Sequence, residues 1–310
     1  MKYPGKQILP LILMSLFILS SKCNTEEDEL TFEVRDRKEQ YQKEKDSILN
    51  FIQTHSYVVD AYNNIHIVPI TNANQRSIYD DALLVQMQDT AVDDLIYDVY
   101  YLKIREGAHQ PVTTTDGVLL AYEVQDFELN TIGRTGELYP HWTDVWFPTV
   151  RISALGLRKV LPEFKAGTFT THNDGTVTFS DYGVGAVFLP SGLANYQFSV
   201  ASNDPNFSGL PAYSPVIIKF KVLQVNTDFD KDNVPNITED LNGNGDPTDD
   251  NTDKENEEEL NAPAFPNYKD ADDDGDGLPT KDEDTNGNGD PTDDDDDGDG
   301  IPNYLDKDTH

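Results

Sequence analysis

Acidic residues alternate along three stretches near the C-terminus, each followed by a turn residue, a branched apolar residue and proline. The stretches are Asp228-Asp230-Asp232, Asp272-Asp274-Asp276 and Asp295-Asp297-Asp299. An acid stands at the twelfth position of each, as Glu239, Glu283 and Asp306. Calcium prefers about six to eight oxygen ligands, which carboxylates on alternate residues of a tight loop supply. This pattern predicts calcium-binding loops.

A second motif begins directly after two of the closing acids. It places Asp, Asn and Asn on alternate residues before a glycine, and its members are Asp240, Asn242 and Asn244, then Asp284, Asn286 and Asn288. The near-identical recurrence of this motif indicates a repeat array. We therefore predict that further ions bind along the chain between the three acidic loops.

The loops resemble thrombospondin type 3 repeats. An EF-hand is excluded because proline stands at the eighth position and no amphipathic helix flanks the loops. The resemblance implies structural Ca²⁺, and folding of the tail should depend on it because apolar residues are scarce. The alternative is a solvated, disordered acidic tail.

The negative charge of the chain is concentrated in this tail. The whole chain carries a formal net charge of -34, and residues 228–310 contribute roughly 25 of the excess negative charges. Such a surface repels phosphate groups, so we expect no nucleic acid partner.

The N-terminus has the pattern of an export signal. Lys2 and Lys6 precede an apolar run over 8–19, which is too short to span a bilayer. The only cysteine, Cys23, follows at the position where bacterial lipoproteins are cleaved and lipidated, although Lys22 is larger than the residue usual there. We predict a signal peptide over residues 1–22 and a lipid anchor at Cys23, with an incidental thiol as the alternative.

The middle of the chain contains the elements that would position a site. Residues 23–92 are predicted to form a spacer, a charged helical stalk from about 30 to 55 that packs by its end, and a loop-rich lead-in with one or two strands. Strands are predicted over 95–104, 118–124, 177–179, 185–189 and 216–225, and a short helix over 152–164. An antiparallel sheet with one helix laid across it is an α+β architecture.

Residues 93–226 resemble the FKBP-type peptidyl-prolyl isomerases, most closely the lipid-anchored members of Bacteroidetes-type bacteria. The segments that carry the resemblance occur in the family's order: YLKIREG at 101–107, VLLAY at 118–122, WFP at 146–148, ALGL at 154–157, FKAG at 164–167, FLPSGLA at 188–194 and LPAYSPVII at 210–218. The resemblance implies an FKBP-like sheet domain here, followed by the calcium-binding tail over 227–310.

Isomerisation of an Xaa-Pro bond needs an apolar, water-excluding pocket rather than a nucleophile, a metal or a cofactor. By the resemblance, the pocket residues are Tyr122, Ile132, Trp146, Phe147, Leu157, Tyr196, Leu210 and Ile218. Ordinary core packing is the alternative role for these residues.

Two positions depart from the family pattern. The family's Phe-Asp pair is Ile132-Gly133 here, which removes a carboxylate, and Asn195-Tyr196 moves the pocket tyrosine by one position. The sequence therefore predicts an isomerase that assists the folding of extracytoplasmic proteins, with a catalytically weak peptide-binding module as the alternative.

Other chemistries lack their motifs. The six histidines are dispersed and show no zinc-site spacing, and no nucleophile elbow or phosphate-binding loop occurs. The expected partners are proline-containing polypeptides and, through the lipid anchor, a membrane. We expect a monomer in the bacterial cell envelope, at the outer membrane or the periplasmic face.

Overall fold

The computed structural model describes residues 34–90, 95–260 and 263–309. Arg35–His310 form one compact unit. The strands are β1 (His55–Val59), β2 (Ile65–Pro69), β3 (Leu84–Asp89), β4 (Tyr97–Arg105), β5 (Gly117–Gln125), β6 (Thr131–Arg134), β7 (His141–Asp144), β8 (Thr168–Thr171), β9 (Val177–Ser180), β10 (Gly183–Leu189) and β11 (Val216–Asn226). The α-helices are α1 (Arg37–Thr54), α2 (Leu157–Val160) and α3 (Lys254–Leu260).

One seven-stranded sheet organises the fold. Its order is β3-β4-β10-β11-β5-β6, with β7 also paired to β5, and every pairing is antiparallel. Two separate hairpins, β1-β2 and β8-β9, complete the strands. The predicted α+β class with a mostly antiparallel sheet is confirmed.

Both faces of the sheet are covered by apolar residues. Because side chains alternate along a strand, Leu120 of β5 joins one buried cluster and Leu119 joins the other. Helix α2 supplies Leu157 and Val160 to the first cluster. Helix α1 and the β1-β2 hairpin supply residues such as Ile52 to the second.

Helix α1 lies against the domain along its length. It begins after Asp36, whose side chain caps the helix by accepting a hydrogen bond from Glu39 N. Its buried residues run from Gln40 to Ile52. A helix therefore lies within the range of the predicted stalk, and it packs on the domain by residues near its start as well as by its end.

Glu44 is the centre of that polar pairing. Its carboxylate accepts hydrogen bonds from Ser191 N at 2.8 Å, from Ser191 Oγ at 2.6 Å and from Gln40 Nε2 at 2.6 Å. Burial raises the pKa of Glu44, and these hydrogen bonds act in the opposite direction. The carboxylate thereby joins α1 to the turn that follows β10.

The structure confirms the strands predicted for the main sheet, whereas the predictions for the lead-in, the short helix and the strand at 177–179 need correction. Strands β4, β5, β10 and β11 lie within two residues of the predicted bounds. The lead-in holds three strands instead of one or two, and β3 belongs to the main sheet. The helix predicted over 152–164 is reduced to α2 and a 3₁₀ turn at Leu161–Glu163, because Thr149 and Ser153 form a bridge and Pro162 lacks an amide donor. The strand predicted at 177–179 is β9, outside the main sheet.

The acidic tail packs against the sheet domain. Asn236 Nδ2 donates to Asp116 Oδ1 at 3.5 Å, and Lys269 pairs with Asp144 at 3.5 Å. Phe229 lies so close to Gly117 that a Cβ there would be 2.8 Å from its ring. Within the described ranges, no helix has the length and apolar character needed to cross a membrane.

Replacing Glu44 with Ala should destabilise the protein by about 2 to 3 kcal/mol, because Ser191 and Gln40 lose a buried charged acceptor. Urea unfolding measures this change. The control is Asp46→Ala, at an exposed position of the same helix, which should change stability by less than about 0.5 kcal/mol. Equal effects of the two substitutions would contradict the joining role of Glu44.

Candidate functional site

Five of the eight predicted pocket residues lie in one buried cluster. They are Tyr122, Ile132, Leu157, Leu210 and Ile218. Strands β5, β6 and β11, helix α2 and the loop before β11 each contribute one of them. The fold thus brings together side chains that span about a hundred positions of the sequence, on the sheet face that α2 covers.

Tyr122 is the polar member of this cluster. Its side chain is buried, and its ring meets His141 edge-on with centroids 6.2 Å apart. Burial raises the pKa of its hydroxyl, and the nearby Arg151 opposes this rise. Among the described residues, its hydroxyl has no hydrogen-bond partner, so it could donate to a ligand.

Arg151 packs against Gly133 of β6. A Cβ built on Gly133 would lie 2.6 Å from Arg151 Cγ, so any side chain there would displace Arg151. Arg151 itself has a positive φ of 73°. The departure at Ile132-Gly133 is therefore part of the local packing rather than an isolated substitution.

Tyr196 lies outside the cluster, against the start of α1. Its hydroxyl donates to the Arg35 carbonyl oxygen, and the Arg37 guanidinium lies 4.0 Å from its ring centroid. Tyr213 meets the same ring edge-on at 5.0 Å. The structure thus places this predicted pocket tyrosine in a contact between the N-terminal segment and the domain.

Trp146 and Phe147 also lie apart from the cluster. Arg158 stacks 3.7 Å above the Trp146 ring and donates from Nε to the Trp146 carbonyl at 2.9 Å. Phe147 is 57% exposed and lines a cavity of about 530 Å³ with Trp142 and Phe229.

A larger cavity of about 1120 Å³ was not anticipated from the sequence. It lies beside β2 and is lined by the buried Lys219 and Lys221. Lys219 pairs with Glu123, and Lys221 pairs with Glu137. Tyr122 borders the cavity too. The sequence feature that could have indicated this cavity is the pair of lysines on alternate residues of an otherwise apolar strand. Such a pair places two polar side chains on the same face of β11.

The first acidic loop gathers its carboxylates as its spacing predicts. Oxygens of Asp228, Asp230 and Asp232 lie within 4.8 Å of one another. The closing Glu239 groups with Asp232 and also with Asp273, a residue outside the alternating pattern. The first, third and fifth positions of the loop therefore converge, and Asp273 of the second loop meets the acids at the fifth and twelfth positions.

The other two acidic loops differ in burial. Asp272, Asp274 and Asp276 form a group, with the buried Glu283 close enough to interact electrostatically with all three. In the third loop, the exposed residues Asp295, Asp297 and Asp299 gather. Asp306 instead accepts hydrogen bonds from Asp308 N and Thr309 Oγ1.

The Asp-Asn loops are closed by internal hydrogen bonds. Asp240 accepts from the amides of Asn244 and Gly245. In the second such loop, Asp284 accepts from the amides of Gly287, Asn288 and Gly289. The Asn side chains donate to downstream acids: Asn242 to Asp249 and Asp250, Asn244 to Asp249, and Asn286 and Asn288 to Asp293. Metal binding at these two loops stays a prediction.

Another acid group includes helix α3. Asp253, Glu257 and Asp270 place carboxylate oxygens within 4.8 Å of one another. The acids of α3 belong to none of the alternating acidic loops of the sequence. Only the chain path brings Asp270 to the helix.

Burial and mutual repulsion determine the electrostatics of the tail. Desolvation, reinforced by neighbouring carboxylates, raises the pKa of Glu239 to about 10 and that of Glu283 to about 8. Desolvation also raises the pKa of Asp273 to about 9. Such groups are stable as anions only beside a positive charge. Clustered carboxylate oxygens fit Ca²⁺, which these residues could hold.

Comparison with known proteins gives similarity in structure only. No protein-family model matches the chain, and no curated protein matches it. A peptidyl-prolyl cis-trans isomerase from Pseudomonas syringae pv. tomato str. DC3000 is 9% identical, with 63% of this chain and 98% of that chain covered and a TM-score of 0.35. FkpA from Escherichia coli is 12% identical, with 61% and 60% covered and a TM-score of 0.33. The N-terminal domain of FKBP42 from Arabidopsis thaliana is 15% identical, with 41% and 86% covered and a TM-score of 0.31. At these values no activity transfers to this chain.

In a chelator, the free energy of unfolding should fall as the pH rises from about 5 to about 8. The pKa of Glu239 and Glu283 is raised in the folded state, so these groups lose their protons at a lower pH in the unfolded chain. As the pH rises, deprotonation therefore stabilises the unfolded chain relative to the folded one. Urea midpoints at several pH values, measured with EDTA, give the slope. The Glu239→Gln variant should show a shallower fall of the unfolding free energy with pH. A free energy of unfolding that rises with pH in this window would contradict the raised pKa of Glu239 and Glu283.

Proposed function

We propose that this chain is an FKBP-type peptidyl-prolyl cis-trans isomerase that assists the folding of extracytoplasmic proteins. The observation that carries the proposal is the assembly of Tyr122, Ile132, Leu157, Leu210 and Ile218 in one cluster under α2. The order of the family-like segments along the chain supports it as well. Proline-containing polypeptides are the proposed clients.

The proposed catalysis follows from the chemistry of the amide. Rotation about an Xaa-Pro bond faces a barrier of about 18 to 20 kcal/mol, because amide resonance is lost in the transition state. The twisted amide is less dipolar, so apolar, water-excluding surroundings favour it over the planar form. The Tyr122 hydroxyl would donate a hydrogen bond that orients the peptide. No metal or cofactor takes part in this step.

A second candidate is a peptide-binding module with little catalysis. Two contacts favour it: the Tyr196 hydroxyl is engaged by the Arg35 carbonyl, and Arg151 lies where a family carboxylate would stand. The domain would then lack two polar groups that the family resemblance implies. Such a domain would still hold a proline-containing segment through apolar contacts.

The proposal extends to the termini of the chain. Residues 1–22 would be an export signal and Cys23 the lipidated anchor, which places the protein in the bacterial cell envelope. Both lie outside the described residues. The domain over 93–226 would carry the activity, and residues 227–310 would bind Ca²⁺ as a structural element.

Tyr122→Phe should lower kcat/KM for Xaa-Pro isomerisation by about fivefold, the equivalent of one hydrogen bond worth about 1 kcal/mol. The assay uses the full chain and a panel of Xaa-Pro peptides. The matched control is Tyr100→Phe, which removes a hydroxyl from a buried tyrosine of the other cluster and should leave kcat/KM unchanged.

The same assay separates the two candidates. An isomerisation rate equal to the uncatalysed rate for every peptide rules out the enzyme. Binding of the same peptides, measured by calorimetry, would then support the peptide-binding module.

Cys23→Ser should abolish acylation of the exported protein, because serine offers no thiol for a thioether-linked lipid. Metabolic labelling with a fatty acid in a bacterial host measures this, and Ser21→Ala is the control that should remain labelled. Label on the Cys23→Ser protein would contradict the anchor.

A further inference from the structure

Three carboxylates from two separate acidic loops meet at one buried point. Asp232 and Glu239 belong to the first loop, and Asp273 lies 34 positions beyond Glu239 in the second. One oxygen of each lies within 4.8 Å of the others. All three side chains are buried, with exposures of 0%, 0% and 1%.

Their oxygens lack partners within the described part of the chain. Neither oxygen of Glu239 has a hydrogen-bond partner there, and the same holds for Asp232 Oδ2 and Asp273 Oδ1. Buried polar groups are almost always paired, and an unpaired charge is far more costly than an unpaired neutral group. Glu239 is therefore a fully buried carboxylate that points into the cluster without a protein donor.

Asp273 points toward the first loop because of its position in the second. Its neighbours Asp272 and Asp274 belong to the carboxylate group of their own loop. Asp273 stands between them and turns the other way. Thr280 fixes it, since Thr280 Oγ1 donates to Asp273 Oδ2 at 3.1 Å and leaves Oδ1 for the cluster.

We propose that Asp273 is a ligand in a Ca²⁺ site that it forms with Asp232 and Glu239, so that one ion joins the first acidic loop to the second. Calcium lies at about 2.3 to 2.6 Å from its oxygens, so two ligands of one ion can be up to roughly 5 Å apart. The observed separations meet this limit. The proposal rests on the calcium-binding part of the proposed function and adds a ligand that the repeat spacing does not assign.

The site connects the tail to the sheet domain. Within the first loop, Asn236 is buried and accepts a hydrogen bond from Phe229 N at 3.0 Å, while its amide nitrogen donates to the Asn226 carbonyl at 3.2 Å. Asn226 ends β11. An ion at the shared site therefore holds the second loop to a loop that is anchored on the sheet.

Tyr304 provides a local reporter. Its ring is buried, and its hydroxyl interacts electrostatically with Asp273, Glu239 and Asp232. Terbium substitutes for calcium, and its luminescence is sensitised by a tyrosine close to the ion. Terbium luminescence sensitised by Tyr304 therefore reports on an ion bound at this site.

The test compares Asp273→Asn with Asp282→Asn in the full chain. Both substitutions remove one negative charge from the second acidic loop region, but Asp282 is exposed. In calorimetric titration with Ca²⁺, Asp273→Asn should lose one binding event or weaken it by about tenfold or more, since fewer charged ligands lower affinity. Tyrosine-sensitised terbium luminescence should fall in parallel, and Asp282→Asn should match the wild type in both measurements.

A titration of Asp273→Asn that equals the wild type would overturn the shared site while leaving calcium binding by the tail intact. A wild-type protein that takes up no Ca²⁺ would overturn the calcium part of the proposed function and the shared site together. Neither titration measures isomerisation, so neither result bears on the proposed isomerase activity.

Thermal unfolding guards against a general folding defect. In EDTA, Asp273→Asn should be at least as stable as the wild type, because it removes a buried charge that repels Asp232 and Glu239. With Ca²⁺ present it should be the less stable protein, because the ion loses a ligand. An equal loss of Tm with and without Ca²⁺ would show that Asp273 only packs, and would overturn the proposal.

Discussion

Every residue of β10 (Gly183–Leu189) is buried, and its neighbours β4 and β11 extend this buried centre on both sides. A strand buried on both faces requires cover above and below the sheet. Helix α2 and the turn after it cover one face, and α1 with the β1-β2 hairpin covers the other. The N-terminal segment is consequently part of the folded domain, and Glu44 supplies its polar attachment at Ser191.

The same demand for cover determines the character of the candidate site. Its residues are also core residues, because the face that α2 covers is filled by apolar side chains. Tyr122 contributes a hydroxyl, Arg151 packs against Gly133, and the Arg35 carbonyl accepts a hydrogen bond from the Tyr196 hydroxyl. Under the proposed function, the choice between catalysis and peptide binding depends on whether the Tyr122 hydroxyl donates to a bound peptide.

The tail is organised by a different kind of interaction. Its buried apolar side chains are few, among them Val234, Tyr268 and Tyr304. Carboxylates occupy the remaining interior, and many of their oxygens have no donor within the described residues. Because like charges in a low-dielectric interior repel strongly, ionised carboxylates are unfavourable there without a compensating positive charge. Bound cations would supply that charge and stabilise the packing of the tail on the sheet.

The sequence by itself determined the features that depend on local periodicity. Alternation predicted β4, β5, β10 and β11, and the apolar pattern predicted the helix that became α1. The three alternating acids at the start of each acidic loop lie together, as their spacing indicates. These patterns repeat over a few residues, so the local chain geometry already decides them.

Only the tertiary structure decided which distant residues meet. The pairing of Glu44 with Ser191, the placement of Arg151 over Gly133, the entry of Glu257 into an acid group and the approach of Asp273 to Glu239 all join separate parts of the chain. No periodicity encodes such contacts, because they follow from how the sheet, its covering helices and the tail fold back on one another. From its sequence context alone, a polar residue in a helix or between two loop ligands is predicted to be exposed to solvent. Only the packing of the chain shows that such a residue is buried.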